Sequence, residues 1–212
     1  MLFTSCSPLA VVRSCTAALL VLAACGTRAA EPTTAPAAGP AKVELEGVLF
    51  DETVLHGGQV LPLNGVGLSS ILSARSMVVA LYLPSKQKTI EGALNVKGPK
   101  RIHYCTIRTI STRDLANAML DRIRQNTTTE EFSANIVQTA QLGAVFGTRK
   151  EVRKGDCALI DWMPATQSTE FRLNGELLEQ PIKGESFFQM MMKVWIGPNV
   201  RASTREALLG LR

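Results

Sequence analysis

Cysteine and histidine have the widest chemical range of the side chains in this sequence, because they act as nucleophiles, bind metals and, for cysteine, form disulfide bonds. The 212 residues include five cysteines and two histidines. His56 adjoins Gly57-Gly58 in a predicted turn, whereas His103 lies in a predicted strand. Residues so far apart along the chain predict neither a metal site nor a Cys–His nucleophile pair.

Cys105 and Cys157 both fall in predicted strands of one sheet. A disulfide bond between them suits a protein that is exported to an oxidising compartment. The alternative is two buried, unpaired cysteines that pack as small hydrophobic residues, and this is the state that we expect.

The sequence contains none of the common catalytic or nucleotide-binding motifs. The patterns G-x-S-x-G, H-E-x-x-H, Walker A and C-x-x-C do not occur, and Gly65-Val66-Gly67 lacks the strand and helix that flank a dinucleotide-binding loop. We therefore predict no catalytic residue from a motif and no cofactor.

Composition indicates one globular domain and argues against a nucleic-acid partner. Hydrophobic residues make up 46% of the chain and charged residues 19%, which suits a protein with a core. The formal net charge is +5, but basic residues are interleaved with acidic ones, and the densest run, at 149–156, is predicted to be a solvated turn. Aromatic residues at 5% do not suggest a surface for stacking bases.

Residues 15–24, CTAALLVLAA, form an apolar segment that is typical of an export signal and too short to span a bilayer as a helix. The tetrapeptide Leu22-Ala23-Ala24-Cys25 resembles the bacterial lipobox, which implies cleavage before Cys25 and attachment of a diacylglyceryl group to its sulfur. The alternative is cleavage by the general signal peptidase near Ala30. We expect an exported, periplasmic lipoprotein that a lipid anchors to the membrane.

Three segments follow from this interpretation. Residues 1–25 are a signal peptide with a lipobox. Residues 26–40 are rich in proline and alanine and bury too little apolar surface to fold, so they form a tether. Residues 41–212 form the folded domain.

Alternating apolar and polar residues predict the strands of that domain. This alternation predicts one strand over residues 42–50, KVELEGVLF. Residues 77–84, MVVALYLP, are apolar almost throughout, which predicts a central strand covered on both faces. In KRIHYCTIRT at 100–109 the period places Tyr104 on one face and His103 and Cys105 on the other.

Two amphipathic helices are predicted after these strands, each with an N-terminal capping motif, at Ser111–Asp114 and Thr128–Glu131. Their spacing predicts one buried stripe for each helix. The stripes are Leu115, Met119 and Ile123 in the first helix and Phe132, Ile136 and Ala140 in the second.

Strands return after the helices, with a hairpin turn predicted at Asn174-Gly175. Neighbouring strands with helices inserted as a block predict an α+β fold with a mostly antiparallel sheet.

The last long helix, FFQMMMKVWI at 187–196, is apolar on more than one face. At helical spacing Met191 and Val194 share one stripe, and Trp195 lies on an adjacent stripe. Either the whole helix is core, or one stripe lines a cleft in which unbranched methionines adapt to a flexible apolar ligand.

Several segments together resemble the bacterial chalcone isomerase-like family over most of residues 42–210. They are LPLNGVGLSSILSARSMVVALYLP, KGDCALIDWMPATQSTEFRLNGE, PIKGESFFQMMMKVWIGPNV and the closing LLG. The resemblance implies an open-faced β-sandwich in which a helical layer covers a large antiparallel sheet and leaves an apolar cleft. The superfamily includes plant enzymes that close a chalcone into a flavanone, fatty-acid-binding relatives, and bacterial exported proteins without an assigned reaction.

The resemblance also identifies site positions in this chain. Where the plant enzymes have an arginine after a G-x-G turn, this sequence has Ser69, so the cation is missing. Met77 stands at the position of a threonine, and Val194 and Trp195 stand at the positions of a polar pair. The catalytic tyrosine has no clear match, although Tyr104 is near in sequence. Loss of such preorganised groups argues against chalcone cyclisation.

We therefore expect a non-catalytic, exported protein that binds a fatty acid or another apolar small molecule. The alternatives are an intramolecular isomerase or lyase with a different residue set, which Ser69 and Tyr104 in one cleft would favour, and an interaction domain whose cleft is filled. The sequence identifies no protein partner. The predicted ligand-binding residues are Ser69, Met77, Tyr104, Met191, Val194 and Trp195.

Overall fold

The computed structural model describes residues 41–212, which contain twelve strands and six helices. The strands are β1 (Lys42–Leu45), β2 (Val48–Asp51), β3 (Thr53–His56), β4 (Gln59–Ile71), β5 (Ala74–Tyr82), β6 (Lys100–Thr106), β7 (Ile110–Ser111), β8 (Glu151–Val152), β9 (Cys157–Met163), β10 (Ser168–Leu173), β11 (Glu176–Leu177) and β12 (Ile182–Lys183). The helices are α1 (Ile90–Asn95), α2 (Thr112–Asn126), α3 (Thr129–Ala134), α4 (Ile136–Gly147), α5 (Glu185–Ile196) and α6 (Ala202–Leu208). The predicted signal peptide, lipobox and tether lie outside the described residues. Within residues 41–212 every helix is too short or too polar to cross a membrane.

One large antiparallel sheet organises the domain. Its strand order is β11-β10-β9-β6-β5-β4-β3, and β12 pairs with β10. β1 pairs with β2, and β7 with β8, in two small antiparallel sheets. The α+β fold with a mostly antiparallel sheet and a helical layer is confirmed.

The two faces of the sheet carry separate hydrophobic cores. On one face, side chains from β5, β6, β9 and β10 pack with those of α2, α4, α5 and α6. On the other face, Val78, Ala80 and Tyr82 of β5 pack with Phe50 of β2 and with apolar residues of β1 and β3. The prediction of a central strand covered on both faces is therefore confirmed for β5, where Ser76–Tyr82 are all buried.

Residues 42–50 form a hairpin, so the prediction of one strand there is wrong. Glu46 and Gly47 both have positive φ, 52° and 77°, and they form a two-residue turn between β1 and β2. Such turns match the twist of the paired strands. The predicted turn at Asn174-Gly175 is confirmed, with φ of 51° and 86°, and it joins β10 to β11.

β4 continues through Gly65-Val66-Gly67, where the resemblance to the plant enzymes implied a turn. α6 lies directly on this part of the strand, so Gly65 is required and a side chain at Gly67 would be tightly packed. A Cβ atom on Gly65 would lie 2.0 Å from the carbonyl oxygen of Ala207, and one on Gly67 would lie 3.1 Å from that of Thr204. The Thr204 hydroxyl also donates a hydrogen bond to the Leu68 carbonyl at 2.6 Å.

The first predicted helix is confirmed as α2, with Ser111 as its N-cap and Leu115, Met119 and Ile123 buried. The second is confirmed only at its start, where Thr128 and Glu131 form the capping box of α3. Asn135 is the C-cap of α3 and the N-cap of α4. Because the helix is interrupted there, different residues of α4 face the core than a continuous helix would bury.

The predicted burial of Ile136 and Ala140 is wrong for that reason. Both are exposed, Ile136 by 52%, and α4 instead buries Thr139, Leu142 and Val145.

Cys105 and Cys157 are disulfide-bonded, so the expectation of unpaired thiols is wrong. They are directly opposed in the antiparallel pair of β6 and β9, which brings residues 52 apart in sequence to adjacent positions. The bond lies on the sheet face opposite the helical layer, where Cys105 belongs to the second core.

Candidate functional site

Strand register brings three of the predicted residues together under the helical layer. Ser69 of β4 is paired with Met77 of β5, and Val79, two residues further along β5, is paired with Tyr104 of β6. Side chains two residues apart on a strand share a face. Met77, Val79 and Tyr104 accordingly belong to the core beneath the helices.

α5 is buried on nearly all sides because it packs against the sheet, α2 and α6. Met191, Val194 and Trp195 are each at most 2% exposed. Both stripes of the helix therefore belong to the core, as the first interpretation of the Met-rich segment expected. Their part in ligand binding stays a prediction.

Trp195 carries an unsatisfied polar atom inside this core. Its indole Nε1 is buried and has no hydrogen-bond partner among the described residues. Leaving a buried donor without an acceptor costs about 1–3 kcal/mol. The indole ring packs on the ring of Tyr104, with the ring centroids 5.9 Å apart.

Ser69 has a cation beside it that the sequence did not reveal. The Arg122 guanidinium, from α2, donates to the Ser69 hydroxyl at 2.9 Å and to the Ser70 carbonyl. Both acceptors are uncharged. Burial, and to a smaller extent the charge of Arg201, lower the pKa of Arg122.

The expectation that the site has no cation beside Ser69 is therefore wrong. Arg122 flanks the buried stripe of α2, three residues after Met119, but only the packing of α2 on β4 brings it to Ser69. Its position beside the buried stripe of α2 was the one feature of the sequence that could have indicated a partly buried arginine.

The main cavity of the helical layer lies between α2, α4 and strands β6, β9 and β10. Its volume is about 30 Å³, and Leu115, Met119, Phe146, Ile160 and Phe171 form part of its apolar lining. Of the predicted residues, Tyr104 lines this cavity and Ser69 does not. Burial raises the pKa of the Tyr104 hydroxyl, which keeps the phenol neutral.

A second cavity of about 10 Å³ is lined by Val79, Ile102, Met192, Trp195 and Leu208 among others. Cavities of these sizes hold no more than one or two waters. An acyl chain would therefore enter only if side chains or α4 moved away from the sheet.

The segment that follows α4 is tied to the edge of the sheet beside the main cavity. Arg149, which lines the cavity, makes an ion pair with Glu176 of β11 at 2.5 Å. The Arg149 carbonyl also accepts a hydrogen bond at 2.6 Å from the Thr112 hydroxyl of α2. Exposed ion pairs contribute at most about 1 kcal/mol, so this contact does not prevent opening.

Comparisons with known proteins agree with the architecture. Residues 42–210 match the family model described as chalcone isomerase-like. The fold is similar to the crystal structure of a fatty-acid-binding protein from Arabidopsis thaliana, with a TM-score of 0.66 and 13% sequence identity over 80% of this chain and 96% of that one. At this identity the similarity concerns the fold alone. No curated protein sequence matches the chain.

Proposed function

The chain belongs to the chalcone isomerase-like family, and from this premise we propose that it binds a fatty acid, or a similar apolar molecule with an acidic head, without transforming it. The observation that carries the proposal is the apolar cavity between the helical layer and the sheet, lined by Tyr104, Leu115 and Met119. The name of the structurally similar plant protein supports the same ligand class.

The acidic head is assigned to Arg122. This guanidinium is partly buried, and within residues 41–212 its hydrogen-bond acceptors, in Ser69 and Ser70, are uncharged, so a carboxylate would supply the opposite charge. Arg122 follows Met119, a residue of the cavity wall, by one helical turn. An acyl chain in the cavity could therefore place its head beside Arg122 once side chains move.

The energetics suit a moderate affinity. Burial of about ten methylenes contributes on the order of 8 kcal/mol, against association and ordering costs of at least about 4 kcal/mol. A charge-assisted hydrogen bond at Arg122 adds about 1.5–3 kcal/mol. We expect dissociation constants in the micromolar range or weaker.

Native mass spectrometry of the purified protein, followed by lipid extraction, tests the proposal. We expect a bound species whose mass is that of a fatty acid, or uptake of one added fatty acid per chain. A chain that remains unliganded at saturating fatty acid would support the interaction domain with a filled cleft instead.

The proposal includes export and anchoring through Cys25, which rest on the sequence LAAC and the Pro/Ala-rich segment that follows it. A lipid anchor would hold the domain next to a source of fatty acids. Incorporation of labelled palmitate by the chain, and its loss in Cys25→Ser, is the expected result. Equal labelling of both forms, or none, would exclude this mode of attachment.

A further inference from the structure

Three side chains of types that can ligate a metal meet on the sheet face opposite the helical layer. His103 and Cys105 are two residues apart on β6 and therefore share a face, and Cys157 of β9 is directly opposite Cys105. One donor atom from each residue, an imidazole nitrogen and two sulfurs, lies within 4.8 Å of the others. This cluster is separate from the cavity proposed for the apolar ligand.

In the structure both sulfurs are used by the Cys105–Cys157 disulfide. A dithiol reductant would supply two electrons and two protons, give two thiols here, and itself become a disulfide. We propose that the reduced protein binds Zn²⁺ through His103 Nε2 and the two cysteine sulfurs, with release of the two thiol protons. The disulfide and the zinc site are then alternative states of the same residues.

The distance between His103 and Cys105 fits zinc. Zn–N bonds of about 2.0–2.1 Å and Zn–S bonds of about 2.3 Å at a tetrahedral angle place the nitrogen and sulfur about 3.6 Å apart. The observed distance from His103 Nε2 to Cys105 Sγ is 3.6 Å. On reduction Cys157 Sγ must move away from Cys105 Sγ, and two thiolates on one zinc are about 3.8 Å apart.

Neighbouring side chains define the surroundings of the His103 imidazole. Arg101 lies two residues before His103 on β6 and therefore shares its face of the sheet. The Arg101 charge is compensated by Asp161, whose two carboxylate oxygens it contacts at 2.7 Å. The Phe50 ring packs edge-on against His103, with the ring centroids 5.0 Å apart, and restricts the orientation of the imidazole.

Three protein ligands leave one tetrahedral position for water. His103 and Cys157 both line a cavity of about 340 Å³ on this face, together with Phe50, Tyr82 and Arg101. A metal ion and its water could reach the donors through this space. Zinc sites with three protein ligands and an accessible fourth position are typical of exchangeable or reactive metal, not of structural zinc.

The experiment uses the full chain with Cys6, Cys15 and Cys25 replaced by serine, so that Cys105 and Cys157 are its only thiols. The protein is reduced with a phosphine and titrated with Co²⁺ and then with Zn²⁺ against a chromophoric chelator. We expect the thiolate-to-cobalt charge-transfer band and intense tetrahedral visible bands in the reduced protein, with stoichiometric displacement by Zn²⁺. The oxidised protein should show neither signal.

Histidine variants test the third ligand. We expect His103→Gln to weaken zinc binding at least about tenfold, because even outer-shell changes cost 10–100-fold. The matched variant His56→Gln changes the other histidine and should bind zinc like the parent chain. Equal affinity in His103→Gln and the parent would overturn the three-ligand site.

Alkylation rates test the site without histidine substitutions, in case a histidine variant fails to fold. Zn²⁺, but not Mg²⁺, should slow alkylation of Cys105 and Cys157 in the reduced protein, as peptide mass spectrometry would show. Unchanged alkylation rates, or equal zinc affinity of the oxidised and reduced proteins, would overturn the proposal.

Discussion

The rings of Tyr104 and Trp195 lie 5.9 Å apart between centroids and are tilted by 33°. Tyr104 lines the larger cavity of the helical layer, and Trp195 lines the smaller one. This aromatic pair therefore joins the linings of the two cavities. A molecule that enlarges either cavity by displacing its aromatic lining residue would change this ring contact.

Fatty acid binding should alter the emission of Trp195. Trp162 is the only other tryptophan and is also buried, so the titration is made in Trp162→Phe. We expect a saturable change in the intensity or wavelength of emission, because the indole environment depends on the contact with Tyr104. The matched variant Trp195→Phe, which keeps Trp162, should show a smaller change. If Trp162→Phe shows no change at saturating fatty acid, the core is filled by its own side chains.

Replacement of Arg122 should separate recognition of the head from burial of the tail. We expect Arg122→Gln to weaken fatty acid binding by about tenfold or more, because a charge-assisted hydrogen bond contributes about 1.5–3 kcal/mol. Binding of the fatty alcohol of equal length, which has no negative charge, should change by less than about threefold. Isothermal titration calorimetry of both ligands provides the measurement.

Arg149→Gln is the matched control for Arg122, since Arg149 lines the cavity but is paired with Glu176. It should bind the fatty acid nearly as well as the parent chain. A larger loss in Arg149→Gln than in Arg122→Gln would place the acidic head beside the segment that follows α4 and contradict the assignment.

The chain should lack appreciable chalcone cyclisation. Tyr104 lines the main cavity as a neutral phenol, whereas Ser69 does not line it and its hydroxyl is held by Arg122. Ser69 and Tyr104 therefore do not line one cavity, an arrangement that would have favoured the isomerase alternative. The assay is the loss of hydroxychalcone absorbance at fixed pH, compared with the spontaneous rate. A rate more than about a thousandfold above that background, or roughly 4 kcal/mol of barrier, would mean that the site is misassigned.

The periodicity of apolar residues correctly predicted elements, such as α2, whose limits depend on nearby residues. The capping serine and the stripe of Leu115 and Met119 suffice to define α2, because both depend on residues within a few turns. The break at Asn135 was not predictable in this way, since the spacing through Phe132 and Ile136 fits one continuous helix. Only the structure shows the change of phase in α4.

The contacts of the candidate sites depend on pairing across the chain. Arg122 reaches Ser69 across 53 residues, and Cys157 reaches Cys105 across 52. Such contacts follow from strand register and helix packing, which the local patterns of a single sequence do not reveal. Residue type alone therefore placed no cation beside Ser69 and did not distinguish a disulfide from two free thiols.

The close approach of α6 to β4 predicts that replacement of Gly65 by alanine destabilises the domain. In Gly65→Ala the new methyl group would lie 2.0 Å from the Ala207 carbonyl oxygen and 2.8 Å from that of Leu208, so the backbone of α6 must move. Overpacking of this kind costs about 1–3 kcal/mol, and for a domain of this size we expect the Tm to fall by about 2–4 °C for each kcal/mol.

Gly143→Ala is the matched control, because Gly143 lies in α4 and a Cβ atom there has no neighbour within 4 Å. Alanine is favoured over glycine within a helix by about 0.5–1 kcal/mol, so this variant should unfold at a slightly higher temperature. Thermal and urea unfolding of the two variants and the parent chain measure both effects. If Gly65→Ala is as stable as the parent, α6 does not rest on the glycines of β4 and the description of that contact is wrong.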